Sequence, residues 1–225
     1  NSSLASYFKT HFNYNKDIKV VYNYPNKTRK RAPETESIRQ KIGFSKNDFV
    51  LIFQGTLNHG RGLLKMVKAF SLIDDNSIKL IVAGGGHLFS DLNDFVINNK
   101  LESKIKMLGR IHSQQLFHYT VSSDCGINLI DEINLSKKFT TATKMFEYFQ
   151  AGIPVLCTNI KENEIILSNY NTGFLTDNSI NNIKKKIIEM SRTKDYVKFK
   201  LKSKEASKEY SWENQHKELL EILKN

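Results

Sequence analysis

The residues best suited to chemistry lie between Ser136 and Pro154, in the segment SKKFTTATKMFEYFQAGIP. A polar loop carrying Thr140 and Thr141 runs into a helix expected to start near Thr143, and Glu147 stands one turn further on. The first N–H groups of a helix lack partners within it and carry partial positive charge. Together with the Lys144 ammonium, they could hold a diphosphate. A carboxylate such as Glu147 accepts on both oxygens, which suits two vicinal ribose hydroxyls. Taken alone, Glu147 reads as a solvent-facing helix residue, but Met145, Phe146, Tyr148 and Phe149 around it make a fully exposed position a poor fit. Gly152 and Pro154 supply the stop signals.

Three glycine-bearing loops could join this segment. Gln54 to Gly62 reads QGTLNHGRG, with Gly55, Thr56, Gly60 and Arg61 before an expected helix. Glycine lets backbone N–H groups approach a phosphate, and the guanidinium of Arg61 is a forked cation suited to a diphosphate. A plain turn followed by an exposed arginine would look the same. Gly84-Gly85-Gly86-His87 is either a strand-to-helix turn or a loop facing a ligand; it is no dinucleotide fingerprint, because Phe89 occupies the third glycine's place. Gly109-Arg110-Ile111 could pair a nucleobase edge with backbone groups while Arg110 lies nearby, or Arg110 could be a surface residue.

These loops need a frame, and the rest of the sequence describes one. Ile18–Tyr22, Phe49–Phe53, Ile78–Ala83, Ile105–Leu108, Cys125–Ile130 and Ile153–Cys157 are short apolar runs, as expected of strands buried on both faces. Helical stretches alternate with them: Gly62–Leu72, with Leu63, Val67 and Phe70 on one face, then Phe89–Asn98, Ser113–Ser122 and Thr143–Ala151. This alternation predicts an α/β fold with a Rossmann-like, doubly wound parallel sheet. Ligands bind such sheets beyond the carboxyl ends of the strands, where all four loops fall. Residues 1–45 read as a helix, a strand and a linker running from Pro25 to Arg39; residues 46–180 form the sheet domain; residues 181–225 form charged helices, with Trp212 as a docking point.

Composition excludes several classes. Hydrophobic residues at 40% and charged residues at 25% match a folded globular chain. No apolar run approaches the roughly 20 residues that span a bilayer. The sequence starts without Met or a signal peptide, so it is expected to begin inside a longer protein. Cys125 and Cys157 are too few for a disulfide scaffold or a zinc site and are expected to be buried thiols in a cytoplasmic protein. Asn26-Lys27-Thr28 matches a glycosylation acceptor, a triplet common by chance. The net charge of +11 favours an anionic partner: a phosphorylated ligand, an acidic membrane surface or nucleic acid. The excess lies in Lys27–Lys41 and Lys184–Lys204, and no aromatic residues are interleaved in the latter, which argues against nucleic acid.

In their order, the motifs resemble the carboxyl-terminal donor-binding domain of glycosyltransferase family 4, the retaining enzymes of GT-B fold. The resemblance runs from about Val20 to Trp212. It rests on Val20 to Pro25, Gly55 to Gly62, Ile81 to Gly86, Met107 to Ile111, Lys144 to Val155, Asn171 to Leu175 and Tyr210 to Glu213. It implies transfer of a sugar from a nucleotide diphosphate sugar to a glycan or lipid-linked acceptor, in surface polysaccharide synthesis of bacterial type. Arg61 and Lys144 would then stabilise the leaving diphosphate. Gly55, Thr56, Gly60, Gly84, Arg110, Ile111, Thr140, Thr141, Thr143 and Glu147 would hold the donor. No metal or other cofactor is implied, since Asp74-Asp75 and Asp131-Glu132 lack the spacing of a metal motif. The acceptor domain would lie outside this chain, and charge alone suggests peripheral contact with the inner membrane face.

The chain departs from the family at three positions. Phe139 stands where many members carry a first glutamate, Ala142 where related members carry proline, and Thr56 where many carry a second arginine. The competing reading is a non-catalytic basic module for membrane or nucleic acid. A nucleotide-sugar epimerase shares the α/β pattern, but Ser123 and Gly152 stand where a lysine should follow Tyr119 and Tyr148.

Overall fold

The computed structural model describes residues 1–27, 35–131 and 134–224. Thr28 of the acceptor triplet, part of the Pro25–Arg39 stretch and Glu132 lie outside the described residues.

Six strands form the frame: β1 Phe49–Gln54, β2 Ile78–Ala83, β3 Ile105–Gly109, β4 Cys125–Asn128, β5 Val155–Thr158 and β6 Gly173–Thr176. All are parallel to their neighbours in the order β3-β2-β1-β4-β5-β6. Helices run in chain order: α1 Ser2–His11, α2 Thr35–Lys41, α3 Leu63–Ser71, α4 Phe89–Asn98, α5 Ser113–Val121, α6 Leu135–Lys138, α7 Thr143–Gln150 and α8 Lys161–Tyr170. The last three are α9 Ile180–Arg192, α10 Tyr196–Glu209 and α11 Trp212–Lys224. The expected doubly wound sheet is present. Its order reverses between β1 and β4, and at such a switch the loops after the two strands part and leave a crevice.

Strand side chains alternate in direction, so each strand feeds two cores. Leu51, Phe53, Leu80 and Val82 pack with Leu63, Val67, Phe70, Ile183 and Ile187 on one face. Val50, Ile52, Ile81 and Val155 pack with Met145, Phe146, Phe149 and Tyr210 on the other. The two cysteines belong to opposite cores, Cys125 to the first and Cys157 to the second. Both are free and fully buried, and burial pushes both thiols well up, so neither is a poised nucleophile.

One glycine shapes the sheet beneath the crevice. A Cβ on Gly126 of β4 would lie 2.1 Å from the ring of Tyr148. The Tyr148 ring therefore lies flat against β4, with its hydroxyl 3.1 Å from the Ile127 carbonyl and 3.3 Å from the Ile52 carbonyl, both as acceptors. Gly126→Ala should lower stability by about 1–3 kcal/mol through overpacking, read as an earlier urea midpoint at unchanged slope. An unchanged midpoint would show that the ring moves aside freely.

Two readings of the amino-terminal part are corrected. Ile18–Tyr22 forms no strand. Its backbone finds a side chain instead of a sheet edge, Tyr22 N donating to Gln215 Oε1 at 2.9 Å, and the Tyr22 and Tyr24 rings stack at 5.1 Å. The stretch read as linker contains α2. Its Arg39 is anchored rather than loose, bonded to the Ser122 carbonyl at 2.7 Å and paired with Asp124 at 2.8 Å. The unforeseen elements are β6, α6 and α8. The charged tail is helical as expected, and at Trp212 the backbone N–H donates to the Pro25 carbonyl at 3.0 Å. Among the described residues no helix is long and apolar enough to cross a membrane.

Candidate functional site

The loops after β1 and β4 and the start of α7 enclose a cleft of about 350 Å³. Of the expected site residues, Gly55, Thr56, Gly60, Arg61, Thr140, Thr141, Thr143, Lys144 and Glu147 all line it. Gly84, Arg110 and Ile111 do not. Gly84 acts from beneath: a Cβ there would lie 1.8 Å from the Gly55 carbonyl oxygen, so the absence of a side chain lets the two loops touch. Arg110 is exposed and lies along Gly85, while Ile111 packs into the second core.

Lys144 is the central cation. Only 8% exposed, it places Nζ 3.6 Å from the Phe53 ring centroid. Desolvation holds its ammonium well below the usual lysine range; Arg61 pushes it further down, Glu147 opposes this, and Lys137 adds to the depression. The Arg61 guanidinium and the Lys137 ammonium line the same cleft, and neither side chain forms an ion pair among the described residues. Three cations thus meet around one carboxylate, with too little negative charge to balance them. The α7 helix begins at Thr143 after Ala142, which offers no side-chain cap; Met145 N donates to the Ala142 carbonyl at 3.0 Å, and Thr143 and Lys144 ahead of it line the cleft. An anion of two or more charges would satisfy both deficits.

The arginine loop is held by a carboxylate. Asp131 accepts from Gly62 N at 3.1 Å and from Lys65 Nζ at 2.8 Å, and its own N–H bonds the Gly60 carbonyl at 3.2 Å. Asp131 thus fixes the loop that carries Arg61. Among the described residues no group of three or more His, Cys, Asp or Glu is arranged to hold a metal.

Several cleft residues were not foreseen. Gln54 Nε2 donates to Glu147 Oε2, and Thr120 Oγ1 lies 2.7 Å from Gln54 Oε1. Asn128, 1% exposed, lines the cleft with a buried Nδ2 that no acceptor among the described residues meets. Gln54 and Asn128 are the polar last residues of apolar strands, a signal open to sequence reading. Thr120, on a helix 66 residues from Gln54, gave none.

Phe139, at the position of the family's first glutamate, turns from this cleft. Its ring packs on Tyr7 at 4.9 Å, and its carbonyl accepts from Asn1 Nδ2. It lines a neighbouring groove of about 710 Å³, with Leu4, Phe8, Phe12 and Leu135, which meets the cleft at Thr140 and Thr141.

Comparison with known proteins gives the family and the fold. The family model of glycosyl transferases group 1 matches residues 34–212. The N-acetyl-alpha-D-glucosaminyl L-malate synthase of Bacillus anthracis is 22% identical over 164 residues, covering 72% of this chain and 41% of that protein. The structure of Anabaena Alr3699/HepE with UDP and glucose aligns with a TM-score of 0.76 at 19% identity, over 92% of this chain and 56% of that one. The pneumococcal O-GlcNAc transferase GtfA, solved with UDP and GlcNAc, gives 0.73 at 15% identity, over 100% and 43%. The chain spans about half the length of the curated relatives it matches.

Proposed function

This chain belongs to the glycosyl transferases of group 1, and from that premise we propose that its cleft holds a nucleotide diphosphate sugar for transfer to a glycan or lipid-linked acceptor. The observation that carries the reading is the desolvated Lys144, set with Arg61 and Lys137 at the uncapped start of α7. Such a site is built for the diphosphate. As the bond from the anomeric carbon to the phosphate oxygen breaks, negative charge grows on the leaving nucleoside diphosphate, and fixed donors that stabilise this growth lower the barrier. Glu147, on the next turn of the helix, would accept from the ribose hydroxyls. We assign the transfer to the retaining class and expect no metal, with the cations and amides acting in its place. The UDP seen with Anabaena HepE and pneumococcal GtfA makes UDP the first nucleotide to test.

The groove beside the cleft supports an acceptor with an apolar part, because Leu4, Phe8, Phe12 and Leu135 are exposed along it and it opens at Thr140. The +11 charge supports action at an anionic membrane face on the cytoplasmic side, in surface polysaccharide synthesis.

A thermal-shift series with UDP, GDP, their sugars and inorganic diphosphate tests the donor reading. Stabilisation follows RT ln(1 + [L]/Kd), so ligand at 100 times its Kd should add about 2.7 kcal/mol. One nucleotide should stabilise well beyond inorganic diphosphate. Equal stabilisation by inorganic diphosphate, with steep loss in salt, would instead mark a basic module without nucleotide selectivity.

A further inference from the structure

We infer that Gln54 is a positioning residue that sets the orientation of the Glu147 carboxylate, held in turn by Thr120. The contact exists in the fold without any ligand; only its consequence for nucleotide affinity rests on the proposed donor site. Gln54 ends β1 and is 2% exposed; Thr120 on α5 is 1% exposed. Gln54 Nε2 donates to Glu147 Oε2, Gln54 Oε1 faces Thr120 Oγ1 at 2.7 Å, and Gln54 N donates to the Tyr148 hydroxyl at 3.3 Å. Backbone and side chain of one strand residue therefore grip two neighbouring residues of α7.

The chemistry fixes the direction of this relay. An ionised carboxylate only accepts, so the amide must present Nε2 to Glu147 and leave Oε1 toward Thr120. Thr120 has one hydroxyl proton and lies within reach of two acceptors, Gln54 Oε1 and the Leu116 carbonyl at 2.9 Å. Donation to Gln54 locks the amide against a flip that would set two acceptors face to face. With Oε2 bound to Gln54, Glu147 Oε1 takes the orientation that the relay leaves it. Among the described residues, Lys144 and Tyr148 on α7 interact electrostatically with this carboxylate, and Arg61 and Lys137 act on Lys144.

Two readouts on the whole chain decide the inference. The first is melting of the ligand-free protein from about pH 5 to about pH 8. Gln54→Glu would set two carboxylates at hydrogen-bond distance, and such a pair takes up a proton on folding. The variant should lose stability against the wild type as pH rises, and Glu147→Gln in the same chain should abolish that slope. A slope parallel to the wild type overturns the inference. The second readout is UDP affinity. Gln54→Leu should weaken UDP by about tenfold, as loss of a hydrogen bond to a charged group does, and Thr120→Val by about threefold. Both losses should vanish in a Glu147→Gln background, whereas a merely structural role would add to it. Additive losses, or a Gln54→Leu protein that binds UDP like the wild type while Glu147→Gln does not, also overturn the inference. If the pH slope is present and Glu147→Gln leaves UDP affinity unchanged, the positioning stands and the donor reading fails.

Discussion

Lys144→Met should melt no lower than the unaltered protein without ligand, yet lose about 2–4 kcal/mol of transition-state stabilisation in transfer. The two halves of this expectation have one cause. The Lys144 ammonium is buried, sits against Phe53 and is pressed by Arg61 and Lys137, so the empty fold bears the cost of a desolvated charge. Methionine keeps the length and packing while removing that cost. A destabilised variant would mean that Lys144 is structural. The sign of the pH dependence follows from the same shift. The folded ammonium titrates below its unfolded value, so between the two the unfolded chain holds more protons. Stability of the ligand-free chain therefore rises with pH across that window. A bound diphosphate favours the protonated lysine, so UDP affinity should fall as pH rises, with proton uptake on binding. Calorimetry in buffers of different ionisation enthalpy reads this uptake directly, and in Lys144→Met it should disappear.

Glu147→Ala should cost nucleotide binding about 1.5–3 kcal/mol, the scale of hydrogen bonds to a charged acceptor. The loss should belong to the ribose. A 2′-deoxynucleotide should bind the unaltered protein more weakly and be nearly indifferent to the substitution, a cycle that isolates the carboxylate–hydroxyl contact. An equal loss for ribo and deoxy forms would place Glu147 elsewhere on the ligand.

How much of this was legible beforehand depended on the range of the interactions. Strands β1 and β2 are buried on both faces, and their unbroken apolar runs announced them. Gly173–Thr176 is a four-residue edge strand, half-buried, and carries little pattern of its own. Ile18–Tyr22 shows the opposite failure, a strand-like composition that joins no sheet and is held by Gln215 of α11 and the aromatic stack. Local pattern cannot distinguish the two. The site was legible where one loop or helix start carried it: Gly55, Arg61, Thr143, Lys144 and Glu147 meet in the cleft. Arg110 had the right residue type, but its loop closes over Gly85 beside the second core instead of reaching the cavity. The support of Glu147 by Gln54 and Thr120 joins β1, α5 and α7 and exists only once the sheet has formed. Phe139 showed the absence of a glutamate in the sequence, and the structure adds that its ring is committed to Tyr7.

A crystal structure of this chain with UDP is the most direct test. The diphosphate should lie at the first amides of α7, within reach of Lys144 and Arg61, and the ribose on Glu147. UDP seated outside this cleft, or bound with Lys144 still against Phe53 and no phosphate beside it, would contradict this placement.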